Sequence, residues 1–175
     1  FDARHITAAS NLNNFTAAKL RVLGDINFQG IRNIVADKVD SPHVINIGAP
    51  VNVADRVNMT FGDLIDVTIN SLTRIGSLIT GNVRNTDTQL DTINAASINS
   101  LFVNGVFQSD VNLTGAATAG GNVLGSAVVT GNVFNSIWDL PGKVGTFQSG
   151  AVSFFQFLSA GNVTDIVTGA ADNTV

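Results

Sequence analysis

Apolar residues recur along this chain with two periods, a short one that alternates from residue to residue and a long one that repeats whole segments. Residues 65–69 alternate apolar and polar side chains, which is typical of a β-strand with one buried face. Residues 35–40 and 53–58 are nearly identical in sequence and lie 18 positions apart. The pattern therefore predicts short strands joined into a repeat.

Extending the 18-residue register gives two unbroken columns of apolar positions. Equivalent residues of successive β-coils lie about 4.8 Å apart, so such columns would form continuous apolar ridges along a stack. The sequence predicts an all-β fold, either β-solenoid-like or a two-layer arrangement of stacked β-arches, with an 18-residue coil. The first column is Val39, Val57, Ile75, Ile93, Val111, Val129 and Phe147; the second is Ile47, Ile65, Val83, Leu101, Ala119, Ile137 and Phe155.

Two known solenoid types share this coil length. A left-handed helix of three hexapeptides needs a third apolar column, which here would contain Asp63, Gly81 and Asn99. A calcium-binding roll needs GGxGxD nonapeptides, and the sequence contains none. A flattened or irregular two-layer solenoid fits the pattern best.

The repeat predicts a single domain over residues 1–175, with an irregular N-terminal segment at 1–30 and a less regular C-terminal segment at 138–175. Gly-Asn-Val occurs four times, beginning at Gly81, Gly121, Gly131 and Gly161. Because Gly and Asn tolerate positive φ and Val favours strands, we interpret the motif as a corner of the coil and not as a ligand site.

Composition points to self-association. Apolar residues make up 45% of the chain and charged residues 13%, about half the usual fraction, so much apolar surface must be hidden. The 13 acidic residues are all Asp, and the absence of Glu disfavours long surface helices. The net charge of −4, without a basic run, argues against nucleic acid as a partner.

The charge is unevenly distributed along the chain. Up to Arg84 there are eight Lys or Arg against seven Asp, whereas from Asn85 onward Lys143 stands alone against six Asp. Opposite ends of two copies are therefore expected to attract each other.

The chain has no Cys, so neither disulfides nor thiolate chemistry are expected. The sequence contains no unbroken apolar run of the length that a membrane span requires, which predicts that no transmembrane helix is present. The start at Phe1 without Met indicates either a mature product or a trimmed fragment, and secretion is compatible with the first. Four Asn-x-Ser/Thr sequons then become candidate glycosylation sites, at Asn14, Asn58, Asn112 and Asn162.

No catalytic site is predicted. His5 and His43 lack any neighbouring nucleophile or metal motif, so both are interpreted as structural or surface residues. Two Asp pairs, Asp63 with Asp66 and Asp87 with Asp91, could serve glycoside hydrolysis only if they faced one groove. No cofactor is expected, but calcium held by stacked Asp or by Asn85, Asp87 and Asp91 stays open as an alternative, because hard cations take several oxygen ligands. The stacked polar column considered for calcium is Asp37, Asp55, Thr73, Asp91 and Ser109.

Residues 151–158 place bulky aromatic side chains on both faces of a predicted strand. A strand that is apolar on both faces requires cover on both. One alternative is a central strand buried within the domain. We favour the other, a strand completed by a neighbouring subunit, and predict an assembly interface at Phe154, Phe155, Phe157 and Trp138.

With its low charge, Asp without Glu, absent Cys and stacked repeat, the chain resembles the self-assembling β-rich sheath and surface-layer proteins of archaeal and bacterial envelopes. The resemblance implies an extracellular or cell-surface, non-enzymatic structural protein that polymerises with itself into a filament, sheath or surface layer. It assigns no functional residue. A carbohydrate- or surface-binding module of an adhesin or phage tail fibre, using Trp138, is the alternative, and a hydrolase is third.

Overall fold

A computed structural model describes residues 2–50, 52, 55–115, 121–159, 161–169 and 171–174, and only the backbone of residues 41, 42 and 171–174. Within this part of the chain all regular structure is β, in one sheet of 15 strands whose pairings are parallel. The prediction of an all-β, solenoid-like fold is confirmed. The strands are β1 (Asp2–Ala3), β2 (Ile6–Val22), β3 (Ile26–Ile47), β4 (Arg56–Ser71), β5 (Arg74–Thr80), β6 (Val83–Arg84), β7 (Thr92–Ala95), β8 (Ile98–Val103), β9 (Asp110–Leu113), β10 (Asn122–Val129), β11 (Val133–Leu140), β12 (Lys143–Gln148), β13 (Val152–Ser159), β14 (Val163–Val167) and β15 (Ala171–Thr174).

The sheet wraps around the core as a stack of coils with three faces. The first face consists of β5, β8, β10, β12 and β14, stacked on the first part of β4 and on earlier parts of β2 and β3. The third face consists of β7, β9 and the later parts of β11 and β13, stacked on the end of β4. Between them, a narrow second face runs through the paired residues Leu64, Val83, Phe107, Val133 and Val152.

The coil length varies along the stack, which corrects the prediction of a constant period. Two of the six steps of the first predicted column are pairings, Val57 with Ile75 and Ile93 with Val111. The other steps are wrong: Val39 pairs with Leu64, Ile75 with Ile98, Val111 with Trp138 and Val129 with Val103. The pairing of Arg21 with Lys38 spans a shorter coil, and the pairing of Val111 with Trp138 spans a much longer one. Connections outside the sheet can lengthen without disturbing the stack, so inserted residues change the spacing but not the fold.

The second predicted column is not a column. Leu101 pairs with Leu78 and Ala127 on the first face, whereas Val83 pairs with Leu64 on the second. Ile137 points outward and is 42% exposed. Ala119 lies outside the described residues. The members of this predicted column are scattered because the coil length varies. An error of a few positions in the spacing moves a residue to another face, and an error of one position turns its side chain from the core to the solvent.

The core is built from inward-facing residues that alternate along each strand with outward-facing ones. On the first face the inward column is apolar in every coil, and its middle members are fully buried. Parallel strands stack these side chains at one rung per coil, so each residue is covered by those above and below it. This column is Phe15, Ile34, Met59, Leu78, Leu101, Ala127, Phe147 and Ile166.

Glycine forms the corner between the first and second faces. The backbone amide of Gly131 donates to the Gly105 carbonyl at 2.9 Å, and that of Gly150 donates to Gly131 at 2.8 Å. A Cβ on Gly131 would lie 2.6 Å from the Gly105 carbonyl oxygen, which is too close for any larger residue. The Gly-Asn-Val motifs at Gly81 and Gly131 lie at this corner, as predicted, and their Asn side chains accept hydrogen bonds from backbone amides of the next coil.

Residues 1–30, which were predicted to be an irregular N-terminal segment, are largely strand where the structure describes them. β2 and the start of β3 cover most of this segment, and their long pairing is interrupted by two register shifts. Each shift changes the sequence spacing between paired residues, so a fixed register could not be followed through the segment.

Candidate assembly surface

The predicted aromatic interface is divided between the core and the surface. Trp138 is fully buried and Phe155 is 3% exposed, so neither can contact a second subunit. The Trp138 ring lies 5.3 Å from that of Phe107, 5.1 Å from Phe147 and 5.8 Å from Phe155. Its Nε1 donates to Ser136 Oγ at 2.8 Å, which satisfies its polar atom. Both residues are corrected to core positions, and a saccharide site built on Trp138 is excluded with them.

Phe154 is the exposed member of the segment. It is 64% exposed, whereas Phe157 is half-buried against the core. Its φ of +49° is in the left-handed region, which is unfavourable for a bulky side chain. The equivalent corner one coil earlier is Asn135, with the same φ of +49°, and Asn tolerates this conformation far better.

Two further apolar residues lie near Phe154 on the same strand and its neighbour. Leu158 is 50% exposed on β13, and Ile137 is 42% exposed on β11. Ile137 pairs with Gln156, which places it between Phe154 and Leu158 along the neighbouring strand. We call Ile137, Phe154 and Leu158 the C-terminal patch. Its members are exposed and apolar, and their exposed polar neighbours are Gln156 and Asp139. Neighbouring exposed apolar residues are typical of an interaction surface.

The first face presents a second, larger surface. Its outward side chains form two columns, and neither contains a charged residue over seven successive coils. In the eighth coil the first column continues with the exposed Asp165, which pairs with Thr146. Ile79 and Phe102, in the second column, are 42% and 38% exposed and pair directly. We call these two columns the lateral surface. The first column is Asn14, Asn33, Asn58, Ser77, Ser100, Ser126 and Thr146; the second is Thr16, Val35, Thr60, Ile79, Phe102, Val128 and Gln148.

Asparagine side chains form a ladder on the outside of the third face. Each amide donates to the amide oxygen one coil earlier, over distances of 2.8 to 3.2 Å. The stacked amides donate and accept hydrogen bonds along the axis, and these bonds fix the register of the coils. The sequence interpretation missed this ladder. Its residues are Asn27, Asn46, Asn70, Asn94 and Asn112.

Three of the four sequons belong to such ladders. Asn33 Nδ2 donates to Asn14 Oδ1 at 2.7 Å, and Asn58 Nδ2 donates to Asn33 at 3.1 Å, on the first face. Asn112 is the last member of the third-face ladder. Asn162 is exposed beside β14. The ladders give Asn14, Asn58 and Asn112 a structural role that does not depend on glycans.

The predicted acidic residues Asp66, Asp87 and Asp91 gather at one corner. Asp66, with φ +54°, accepts hydrogen bonds from Thr86 N at 2.5 Å and from Thr86 Oγ1 at 2.6 Å. Asp91 is 6% exposed, and its Oδ2 is buried without a hydrogen-bond partner. Burial, together with the Asp66 and Asp87 charges, raises the pKa of Asp91 to about 6. Across the described residues, no three His or Asp side chains are arranged as metal ligands.

The remaining Asp candidates are dispersed. Asp63 has its own hydrogen-bond partner and does not act together with Asp66. Its Oδ1 accepts hydrogen bonds from the backbone amide and the side-chain amide of Asn82, at 2.7 and 2.9 Å.

The two histidines contact Asp25. His5 Nδ1 accepts a hydrogen bond from the backbone amide of Asp25 at 3.2 Å, and His43 Nδ1 lies 3.6 Å from Asp25 Oδ1. Both histidines thus have structural partners. Of the predicted polar column, Asp91 and Ser109 lie in adjacent coils, where Ser109 Oγ donates to the Asp91 carbonyl at 3.0 Å.

An open groove of about 450 Å³ follows the third face. The Asn27, Asn46 and Asn70 amides line it together with Phe28 and Leu72. It lies beside the asparagine ladder and contains none of the predicted catalytic pairs.

No family model, no curated protein and no solved structure matches this chain. In the described part of the chain, no helix is long and apolar enough to cross a membrane.

Proposed function

We propose that this chain is a non-enzymatic, extracellular structural protein that associates with further copies of itself into a filament, sheath or surface layer. The observation that carries the proposal is the C-terminal patch, where Phe154 is both strongly exposed and held at positive φ. A strained, exposed aromatic residue lowers the stability of the single chain, so its presence is explained best by a contact outside the chain.

Strand pairing supports the same proposal. β13 and β11 carry the patch on adjacent strands, and their regular parallel pairing gives the three apolar residues fixed positions. A rigid apolar surface loses little conformational entropy on association, so a small contact can be effective. The low charged fraction also reduces repulsion between copies.

The test compares wild type with Phe154→Asn. Asn occupies the equivalent position one coil earlier, so the variant removes the apolar ring while suiting the backbone. We expect wild type to form open, extended assemblies in negative-stain images, and Phe154→Asn to assemble only at higher concentration. The isolated variant should melt at the same temperature as wild type or at a higher one, so loss of assembly cannot be attributed to unfolding.

A monodisperse wild-type monomer at high concentration would contradict the proposal. So would assemblies that are unchanged by Phe154→Asn, since the patch would then have no part in them. Leu72→Asn is the matched control, because Leu72 is 73% exposed and lies at a different corner.

Binding of a saccharide chain is the second candidate function. The third-face groove supports it, because its amide column lies beside apolar side chains, as a sugar ring requires. Affinity electrophoresis in soluble polysaccharides would test it, with Asn70→Ala expected to abolish retardation if the groove is the site.

A further inference from the structure

We propose that the lateral surface pairs face to face with the lateral surface of a second copy, with the two stacks side by side and pointing in the same direction. The inference rests on the proposed function and adds a second contact to it, distinct from the C-terminal patch. The partner is another copy of this chain, and the relation between the two is a twofold axis parallel to the stack.

The absence of charge on the lateral surface restricts its partner. Over these seven coils neither column contains Lys, Arg, Asp or Glu, and the one charge that follows, Asp165 in the eighth coil, is acidic. The surface therefore offers no basic group to nucleic acid or phosphate. Its most exposed apolar residues, Ile79 and Phe102, lie in the middle of the surface, and Val128 continues the column. Apolar residues at the centre with hydroxyl and amide groups beside them are typical of protein interfaces.

The repeat makes the surface complementary to itself. Outward side chains recur at about 4.8 Å along the stack in both copies, so one column can fit between those of the partner over its whole length. The lateral surface is seven coils tall and about five strand residues wide, which gives roughly 34 by 17 Å. Each copy would therefore contribute about 570 Å² to the interface. The total of about 1,100 Å² from both copies reaches the lower limit for a specific interface.

The flanks of the surface supply charge complementarity. Arg56 and Arg74 pair at the starts of β4 and β5, on one side of the lateral surface. Asp37 and Asp63 lie on the opposite side, where the strands of this face end. None of the four takes part in an ion pair among the described residues. Lys38 lies at the same edge as Asp37 and Asp63, but its Nζ forms an ion pair with Asp40 Oδ2 at 3.0 Å. With the twofold axis along the stack, strands of the two copies run in opposite directions, so the Arg flank of each copy lies against the Asp flank of the other.

Combined with the C-terminal patch, this contact would produce an open assembly. The two surfaces lie on different faces of the stack, so a chain using both has neighbours on two sides. Contacts on two faces extend without limit unless their rotations happen to close. A sheet or bundle of parallel stacks is the expected product.

The test is sedimentation equilibrium of the full chain in the Phe154→Asn background, which disables the C-terminal patch, and it compares that parent with Phe102→Asp and the control Leu90→Asp. We expect Phe102→Asp to raise the dissociation constant of the lateral dimer at least about tenfold, because a charge would be buried at the centre of the interface. Leu90 is 77% exposed in the connection before β7, outside the lateral surface and its flanks, so Leu90→Asp should leave the constant within about twofold. Circular dichroism and melting curves establish that each variant is folded.

A charge reversal tests the orientation independently. Arg56→Asp should weaken the dimer, and adding Asp37→Lys should restore it, because the two residues face each other across the axis at neighbouring levels. Failure of the second change to restore pairing would overturn the parallel orientation. Equal association of the Phe154→Asn parent with and without Phe102→Asp would overturn the lateral contact while leaving the proposed function intact, whereas a wild-type monomer at every concentration would overturn both.

Discussion

The buried carboxyl of Asp91 makes the stability of the fold depend on pH in a direction unusual for an Asp. Burial and the neighbouring Asp66 and Asp87 charges raise its pKa from about 3.8 to about 6 in the folded chain. A folded pKa above the unfolded value means that the folded state binds the proton more tightly. The free energy of unfolding is therefore highest below about pH 4 for this group, and it falls as the pH rises through 6.

The magnitude follows from the difference between the two pKa values. About two pH units correspond to roughly 3 kcal/mol at full effect. Residues 86–90 beside Asp91 are exposed, so solvent reduces the interaction, and we expect about 1–2 kcal/mol. The Val67 backbone amide donates to the Asp91 carboxylate and already offsets part of the penalty.

Asp91→Asn removes the charge and keeps the shape. We expect the variant to be about 1–2 kcal/mol more stable than wild type at pH 7.5 and equally stable near pH 4.5, measured by urea denaturation across this range. Asp40 does not interfere, because hydrogen bonds from Arg21 and Lys38 lower its pKa and place its effect at lower pH. Asp139→Asn, at an exposed position, is the control. A wild-type stability that rises between pH 4.5 and 7.5, or an Asp91→Asn variant that keeps the wild-type slope, would refute the reasoning.

Three other substitutions test the packing of the stack, each by denaturant unfolding. Trp138→Ala should cost about 3–5 kcal/mol, because it empties the centre of the aromatic cluster; a cost under about 1 kcal/mol would contradict its full burial. Gly131→Ala should destabilise by about 1–3 kcal/mol, since its Cβ would meet the Gly105 carbonyl at 2.6 Å, and an unchanged stability would contradict this close approach. Asn70→Ala should cost about 1–3 kcal/mol, because Asn46 Oδ1 loses its donor and Asn94 Nδ2 keeps only Thr92 Oγ1; an unchanged stability would show that the ladder is not cooperative.

The fold class could be predicted because the alternation of apolar and polar residues is visible in the sequence, whereas the register of the stack could not. Residues 35–40 and 53–58 match by their letters, yet Lys38 pairs with Asp63. The similarity between those segments therefore does not reflect stacking. Each connection between strands has its own length, and nothing in a local segment reports the length of the next connection.

The asparagine ladder did leave a usable signal. Asn46, Asn70 and Asn94 each follow a buried Ile, so an Ile-Asn pair at a strand marks the third face of successive coils. The pairs are 24 residues apart and thus fall outside an 18-residue register. Searching for a repeated pair at variable spacing would have found the face that a fixed period missed.

In the aromatic segment at residues 151–158, the sequence could not show which side chains are exposed. Adjacent Phe154 and Phe155 have the same chemistry, but one is 64% exposed and the other 3% exposed. The difference arises from the left-handed turn at Phe154, which no sequence signal favours at a Phe. Exposure at such a corner depends on the coil beneath it and could be assigned only from the structure.

Disulfide trapping across the first face tests the stacked register most directly, because the natural chain has no Cys. Ser77 and Ser100 are paired in neighbouring coils, whereas Ser77 and Ser126 are two coils apart. Paired positions lie about 4.8 Å apart, within disulfide range, and positions two coils apart lie at about 9.6 Å, beyond it. We predict that Ser77→Cys with Ser100→Cys forms an intramolecular disulfide on mild oxidation at low protein concentration, and that Ser77→Cys with Ser126→Cys does not. Efficient crosslinking of the second pair, or none of the first, would contradict the stack.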